Sequence, residues 1–240
     1  MAVSNSQVFL PAKMRNNALL SLVSDAVTFH RMAVLVEDDQ QRRLARHSIL
    51  LASLTVECFA NCLLWMTDIQ SGLRADLDKL PPLSKINACL HLRGKKLDHG
   101  RVEVQRMVEL IKARNEYVHP KIVTVGAEIG MPHDGGSHWL MDLRVPAEFR
   151  HSLSIPKQAM MWNAEHSKRV LQHTTAFYKF LIDDVLKLDP PDLQQTFSAF
   201  IEIGEKPFAA ISGGLEQVLD EDGDDFDFTV YRRMMGGLAG

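Results

Sequence analysis

The sequence predicts a mainly α-helical protein: an up-and-down helical bundle with an inserted β-hairpin and an acidic C-terminal extension. Three observations lead there. Apolar residues recur at helical spacing in four successive stretches before Pro120, and the links between them are short, which favours antiparallel neighbours. Between residues 121 and 150 the apolar period shortens to two around a glycine-rich turn. Beyond the last long amphipathic stretch the chain turns acidic: Lys and Arg against Asp and Glu from Asp183 to Asp227 is two minus thirteen, or −11. At 240 residues, 46% hydrophobic and 24% charged, the chain can bury a substantial core. The expected organisation is a bundle over residues 1–188, with the hairpin at about 121–150, and a helical, acidic extension over 189–240.

Met1 to Ala12 reads as a loose leader ending near Pro11. The first helix is expected from Met14 to Glu37, where Leu19, Leu22, Val23, Ala26, Ala33 and Val36 keep helical period. Asp38 to Gln41 is a polar interruption, and Arg42 to Asp68 is a long central helix, apolar on nearly every side. Gly72 ends that run, and Pro81 and Pro82 restart the chain before a third helix, Leu83 to Leu92. A basic loop from Gly94 to Gly100 leads into the fourth, Val102 to Val118. Its apolar positions are Val104, Met107, Val108, Ile111 and Tyr117 or Val118. Pro120 offers no amide and disfavours helical geometry in the residue before it, so this helix should stop at His119.

Beyond it, Lys121–Ile129 and Trp139–Val145 should pair as strands about a turn holding His133 and His138. Pro156 is suited to the first position of a long helix, Lys157 to Leu188, which Pro190 and Pro191 terminate. Asp192 to Ile203 and Leu215 to Leu219 read as further helices. Phe226 and Phe228 could tether the acidic stretch to something else.

Several function classes drop out. Cys58, Cys62 and Cys89 are too few for a disulfide framework and read as reduced core thiols of a cytoplasmic protein. No His or carboxylate set completes a metal site with them, and the Asp220–Asp224 acids lack the glycine and final glutamate of a calcium loop. Ser48 to Thr67 could span a bilayer by length. Glu57 and Asn61 at its middle argue for a buried core helix, because a charge there costs about 2.5–3.5 kcal/mol.

The chemistry concentrates in Ala113–Pro120, A-R-N-E-Y-V-H-P. At roughly 100° per residue Asn115 and His119 share one helix face, while Arg114 lies about 140° away from His119. From His91 to Lys121 the charge count is eight minus four, or +4, which suits a polyanion. Arg114 and Asn115 followed by His119, with four residues between Arg and His, resemble the HEPN superfamily. So do Glu57 and Asn61, one turn apart in an earlier apolar helix.

That resemblance implies an all-helical dimer in which two motif helices face each other. It also implies metal-independent endoribonuclease activity in a toxin or phage-defence setting, with no cofactor. In such an enzyme His119 is the general acid or base, Arg114 stabilises the phosphate, and Asn115 orients the imidazole or donates to the phosphate. Glu57 either fixes Arg114 from behind or acts as an extra acid or base. Tyr117, Lys121, Lys112 and Asn61 are the expected substrate contacts. The implied partners are RNA, a second copy of the chain and an antitoxin or other protein, with no membrane. The alternative is a non-catalytic dimer of the same kind that binds RNA, a nucleotide or a protein. A tyrosine two positions after the histidine, present in a nucleotidylation-linked subgroup, is Lys121 here, so that modification target is missing.

Overall fold

The computed structural model describes residues 11–122, 124, 126–130, 142–144, 146–203, 206–211, 215–220 and 226–235. A short strand β1 (Lys13–Arg15) leads into helices α1 (Leu19–Val34), α2 (Asp38–Trp65), α3 (Ser71–Asp78), α4 (Pro82–Leu92) and α5 (Val102–Val118). Strands β2 (Glu128–Gly130) and β3 (Asp142–Arg144) follow, then α6 (Ala164–Lys179), which continues as a π-helical turn over Phe180–Leu186. The chain closes with α7 (Pro190–Phe197), β4 (Ala199–Ile203), β5 (Lys206–Ile211), α8 (Leu215–Asp220) and α9 (Thr229–Met234).

Helix α2 is the axis of the core. Ala45, Ile49, Ala52, Val56, Phe59 and Leu63 recur at alternating steps of four and three and are all at most 1% exposed, so one face stays under its neighbours for five turns. Small residues let α1 approach closely, and Ser48 Oγ donates to the Ala26 carbonyl at 2.8 Å. Phe59 is stacked between Tyr178 and Phe197, with ring centroids 4.8 and 4.5 Å away. The Tyr178 hydroxyl donates to Thr55 Oγ1 at 2.6 Å, which satisfies it, while burial holds its pKa well above the ordinary value. Among the described residues α2 is the helix long and apolar enough to cross a membrane, and 61% of its apolar window is buried within the protein.

The structure departs from the sequence reading in four places. Residues 38–41 form the first turn of α2, where Asp38 and Asp39 meet the positive end of the helix dipole. Helix α3 occupies the link where Gly72 was expected to end the helical run. Met14 belongs to β1, opposite Ile201 of β4, and not to a helix. The expected helix Asp192–Ile203 accordingly stops at Phe197, because Ser198 turns extended (φ −91°, ψ 154°) and gives its hydroxyl to the Met234 carbonyl. The expected Lys157–Leu188 helix begins only at Ala164. There Asn163 and His166 form a reciprocal cap, and the preceding chain is folded back by the Trp162 indole donating to the Pro156 carbonyl at 2.8 Å.

The described residues between 189 and 240 pack against the helices that precede them. Their Leu193, Phe197, Leu215, Leu219, Tyr231 and Met234 sit in the same apolar core as α2, so the acidic surface is carried by chain that is part of the body. Two of the acids between Asp183 and Asp227 are ion-paired: Lys179 pairs with Asp227 at 2.9 Å and Arg233 with Asp183 at 2.6 Å. The Asp227 carboxyl is held down at about 2 by the Thr229 hydroxyl and Lys179. Phe226 lies edge-on to His30, 5.4 Å between centroids, and so does tether this segment. Strands β2 and β3 pair antiparallel, Ile129 opposite Leu143. The turn between them, with His133 and His138, and the acids 221–225 lie outside the described residues.

His173 on α6 makes acid stability testable. Burial first, then the positive charges of Arg106 and Arg169, lower its pKa from 6.5 to about 4. The unfolded chain takes up a proton between those values that the folded chain refuses, so stability should fall as pH drops through that window. The side chain is only half buried, and the expected loss is about 1–2 kcal/mol. Denaturant unfolding of the protein and of His173→Gln at about pH 7 and about pH 4 checks this, since the variant should lose that part of the pH slope.

Candidate functional site

Helix α5 starts at Val102, just after the extended Arg101, with Glu103 in its first turn, and ends where Pro120 forces it to. His119 leaves helical geometry (φ −119°, ψ 67°), and its amide still donates to the Asn115 carbonyl at 2.9 Å. The buried residues of α5 are Val104, Met107, Leu110 and Ala113. Val108, Tyr117 and Val118, expected on the apolar face, are 42–48% exposed: Val108 faces the groove described below, and beyond Ala113 the last turn rises clear of the core.

On the side of α5 that faces α2, the Arg114 Nη2 stands 3.5 Å from Glu57 Oε2, and its Nη1 donates to Asn115 Oδ1 at 2.9 Å. The Arg114 and Glu57 side chains are 30% and 46% exposed, so the pair adds little stability but does fix a guanidinium in one orientation. Glu57 and the Asn115 oxygen thus both contact the Arg114 guanidinium, and that oxygen makes no hydrogen bond to the His119 imidazole. His119 makes no ion pair or side-chain hydrogen bond with the described residues.

A groove of about 1340 Å³ opens along the other side of the last turns of α5. Val108, Ile111, Lys112, Asn115 and His119 form one stripe of the helix along it, with Tyr117 and Lys121 at its end. Tyr117 lies 6.3 Å from the buried Trp162 ring. Five of the sequence-derived site residues thus meet in one place, with Arg114 and Glu57 joined to it through Asn115. Asn61 does not line this groove: the buried Lys85 donates to it at 2.5 Å while pairing with Asp78 at 2.9 Å, which makes it a structural acceptor.

The opposite wall was not foreseen. It consists of Glu148, Lys157, Gln158 and Ala159, on a loop tied to α5 by four polar contacts. Glu109 accepts the amides of Ser152 and Leu153 at 2.9 and 2.7 Å, Arg106 donates to the Ser152 carbonyl at 3.4 Å, and the buried Arg150 pairs with Glu116. The available signal was Glu109 and Glu116, seven apart and so on one face of a helix in a basic region.

Part of the basic character is structural: Arg93 and Lys95 donate to the carbonyls of Met66 and Leu186, and Arg101 pairs with Glu103. Lys112 and Lys121 remain for the groove. Among the described residues no three His, Cys, Asp or Glu side chains converge as a metal site, and the three cysteines are free thiols. Comparison of the chain with protein-family models, curated proteins and solved structures gives no match.

Proposed function

We propose that this chain is a metal-independent endoribonuclease of HEPN type that cleaves RNA through the substrate's own 2′-hydroxyl and leaves a 2′,3′-cyclic phosphate. One observation carries the reading: an exposed histidine lines a groove together with Lys112, Lys121 and Asn115, and Asn115 links that groove to a guanidinium held by Glu57. Such a reaction requires a proton carrier that works near neutrality and a fixed positive charge for the phosphate, which imidazole and guanidinium supply. Lys112 and Lys121 attract the backbone, and the half-exposed Tyr117 ring offers a face for a base. A symmetric dimer with two α5 helices facing each other would set two such grooves side by side, and the exposed Val108 and Val118 suit that contact. Free thiols accord with a cytoplasmic setting.

Incubation of purified protein with single-stranded RNA in EDTA tests the reading. Cleavage that persists with chelator supports it. Tight binding without cutting favours the non-catalytic RNA-binding alternative, and neither binding nor cutting overturns both.

A further inference from the structure

Glu116 stands one turn before His119, about 60° round the helix from it, and both line the same groove. Its carboxylate is placed by an unusual partner. Arg150, with 5% of its side chain exposed, engages Glu116 Oε2 from beneath the groove wall, while the Glu116 side chain stays 49% exposed. The other charged groups around this carboxylate are Lys112 and His119 on α5, Lys121 just beyond, and Glu148 and Lys157 on the far wall. Arg150 is otherwise sparsely bound, its Nε having no partner among the described residues. The groove thus holds a positioned carboxylate next to an unengaged imidazole.

We infer that Glu116 is a further catalytic residue, the general base that removes the 2′-hydroxyl proton, with His119 as the acid within the same chain. The inference rests on the nuclease reading above. The 2′-oxygen forms its bond to phosphorus as its proton passes to Glu116. The P–O5′ bond breaks as His119, protonated at the start, gives its proton to the leaving oxygen. The products are a 2′,3′-cyclic phosphate and a 5′-hydroxyl, and exchange with water returns the proton from Glu116 and restores that of His119. A site of this kind has both proton carriers in one protomer, whether or not two protomers associate. Arg150 is a positioning residue that acts through Glu116.

The test is the pH dependence of RNA cleavage by the full chain and by Glu116→Gln, which can still accept a hydrogen bond from Arg150. The wild type should give a bell-shaped profile, and the variant should lose its acid limb and about 10²–10³-fold in kcat with KM little changed. Glu116→Asp should retain the limb. A variant with wild-type kcat and profile overturns the inference, as does a wild-type rate that is flat to the acid edge of stability, a result that needs no variant to fold. Mixing Glu116→Gln with His119→Ala should restore nothing, and recovery of activity would show that acid and base come from different chains. Absence of cleavage by the wild type would instead remove the nuclease reading itself.

Discussion

Replacing His119 by alanine should lower the rate of RNA cleavage by about 10²–10⁴-fold, the usual contribution of a positioned proton carrier. The side chain is exposed, follows the last helical turn and bonds to no other described residue, so the fold should change by less than about 0.5 kcal/mol. KM should move little, since Lys112, Lys121 and Tyr117 remain in the groove. Arg114→Ala should cost about 10²–10³-fold, as removal of one charge-stabilising donor does elsewhere. Arg114→Lys should recover only part, because an ammonium cannot engage Glu57 and Asn115 together in the same planar arrangement. Steady-state kinetics on a short RNA, beside circular dichroism of each variant, gives the answer. A His119→Ala protein that cuts at the wild-type rate removes the imidazole from the mechanism.

Phe59→Ala should be the most destabilising of the single substitutions considered, by about 3–5 kcal/mol. Its ring is fully buried, stacked on Tyr178 and Phe197, and it joins α2 to α6 and α7. Truncation removes both stacking partners' contact and leaves a cavity that the surrounding large side chains cannot close by small shifts. At about 2–4 °C per kcal/mol for a chain of this size, the thermal midpoint should fall by on the order of 10 °C. Phe59→Leu should lose less, keeping most of the volume. Denaturant unfolding measures the difference, and a loss under about 1 kcal/mol would mean that Phe197 and the segment behind it are not part of the core.

What could be read from the sequence follows how local its causes are. The end of α5 was legible because Pro120 acts on its immediate neighbour, and the Arg114–Glu57 contact was one of the two roles for Glu57 that the resemblance at the motif implied. The position of Asn61 away from the groove was not legible, because the residue that bonds to it, Lys85, lies on another helix and carries no mark of that contact. The loop before α6 looked helical from Pro156 onward. Its course is set by contacts distant in sequence, such as Glu109 holding the amides of Ser152 and Leu153. Helix α7 ends in a strand partly for the same reason: β4 lies between β5, its neighbour in sequence, and β1, at the other end of the chain. The far wall of the groove, and with it Glu116 as a positioned carboxylate, therefore became visible only once the chain was folded.

The central claim is that cleavage runs through the 2′-hydroxyl between a guanidinium and an imidazole, without metal. Its most direct test is an RNA oligonucleotide beside the same molecule with a single 2′-deoxy sugar at the cleaved position, both incubated in EDTA and their products weighed by mass spectrometry. The all-ribose strand should yield a 2′,3′-cyclic phosphate and a 5′-hydroxyl, and the deoxy-substituted strand should stay intact at that bond. Equal cleavage of both strands, or products ending in a 3′-hydroxyl, would contradict it.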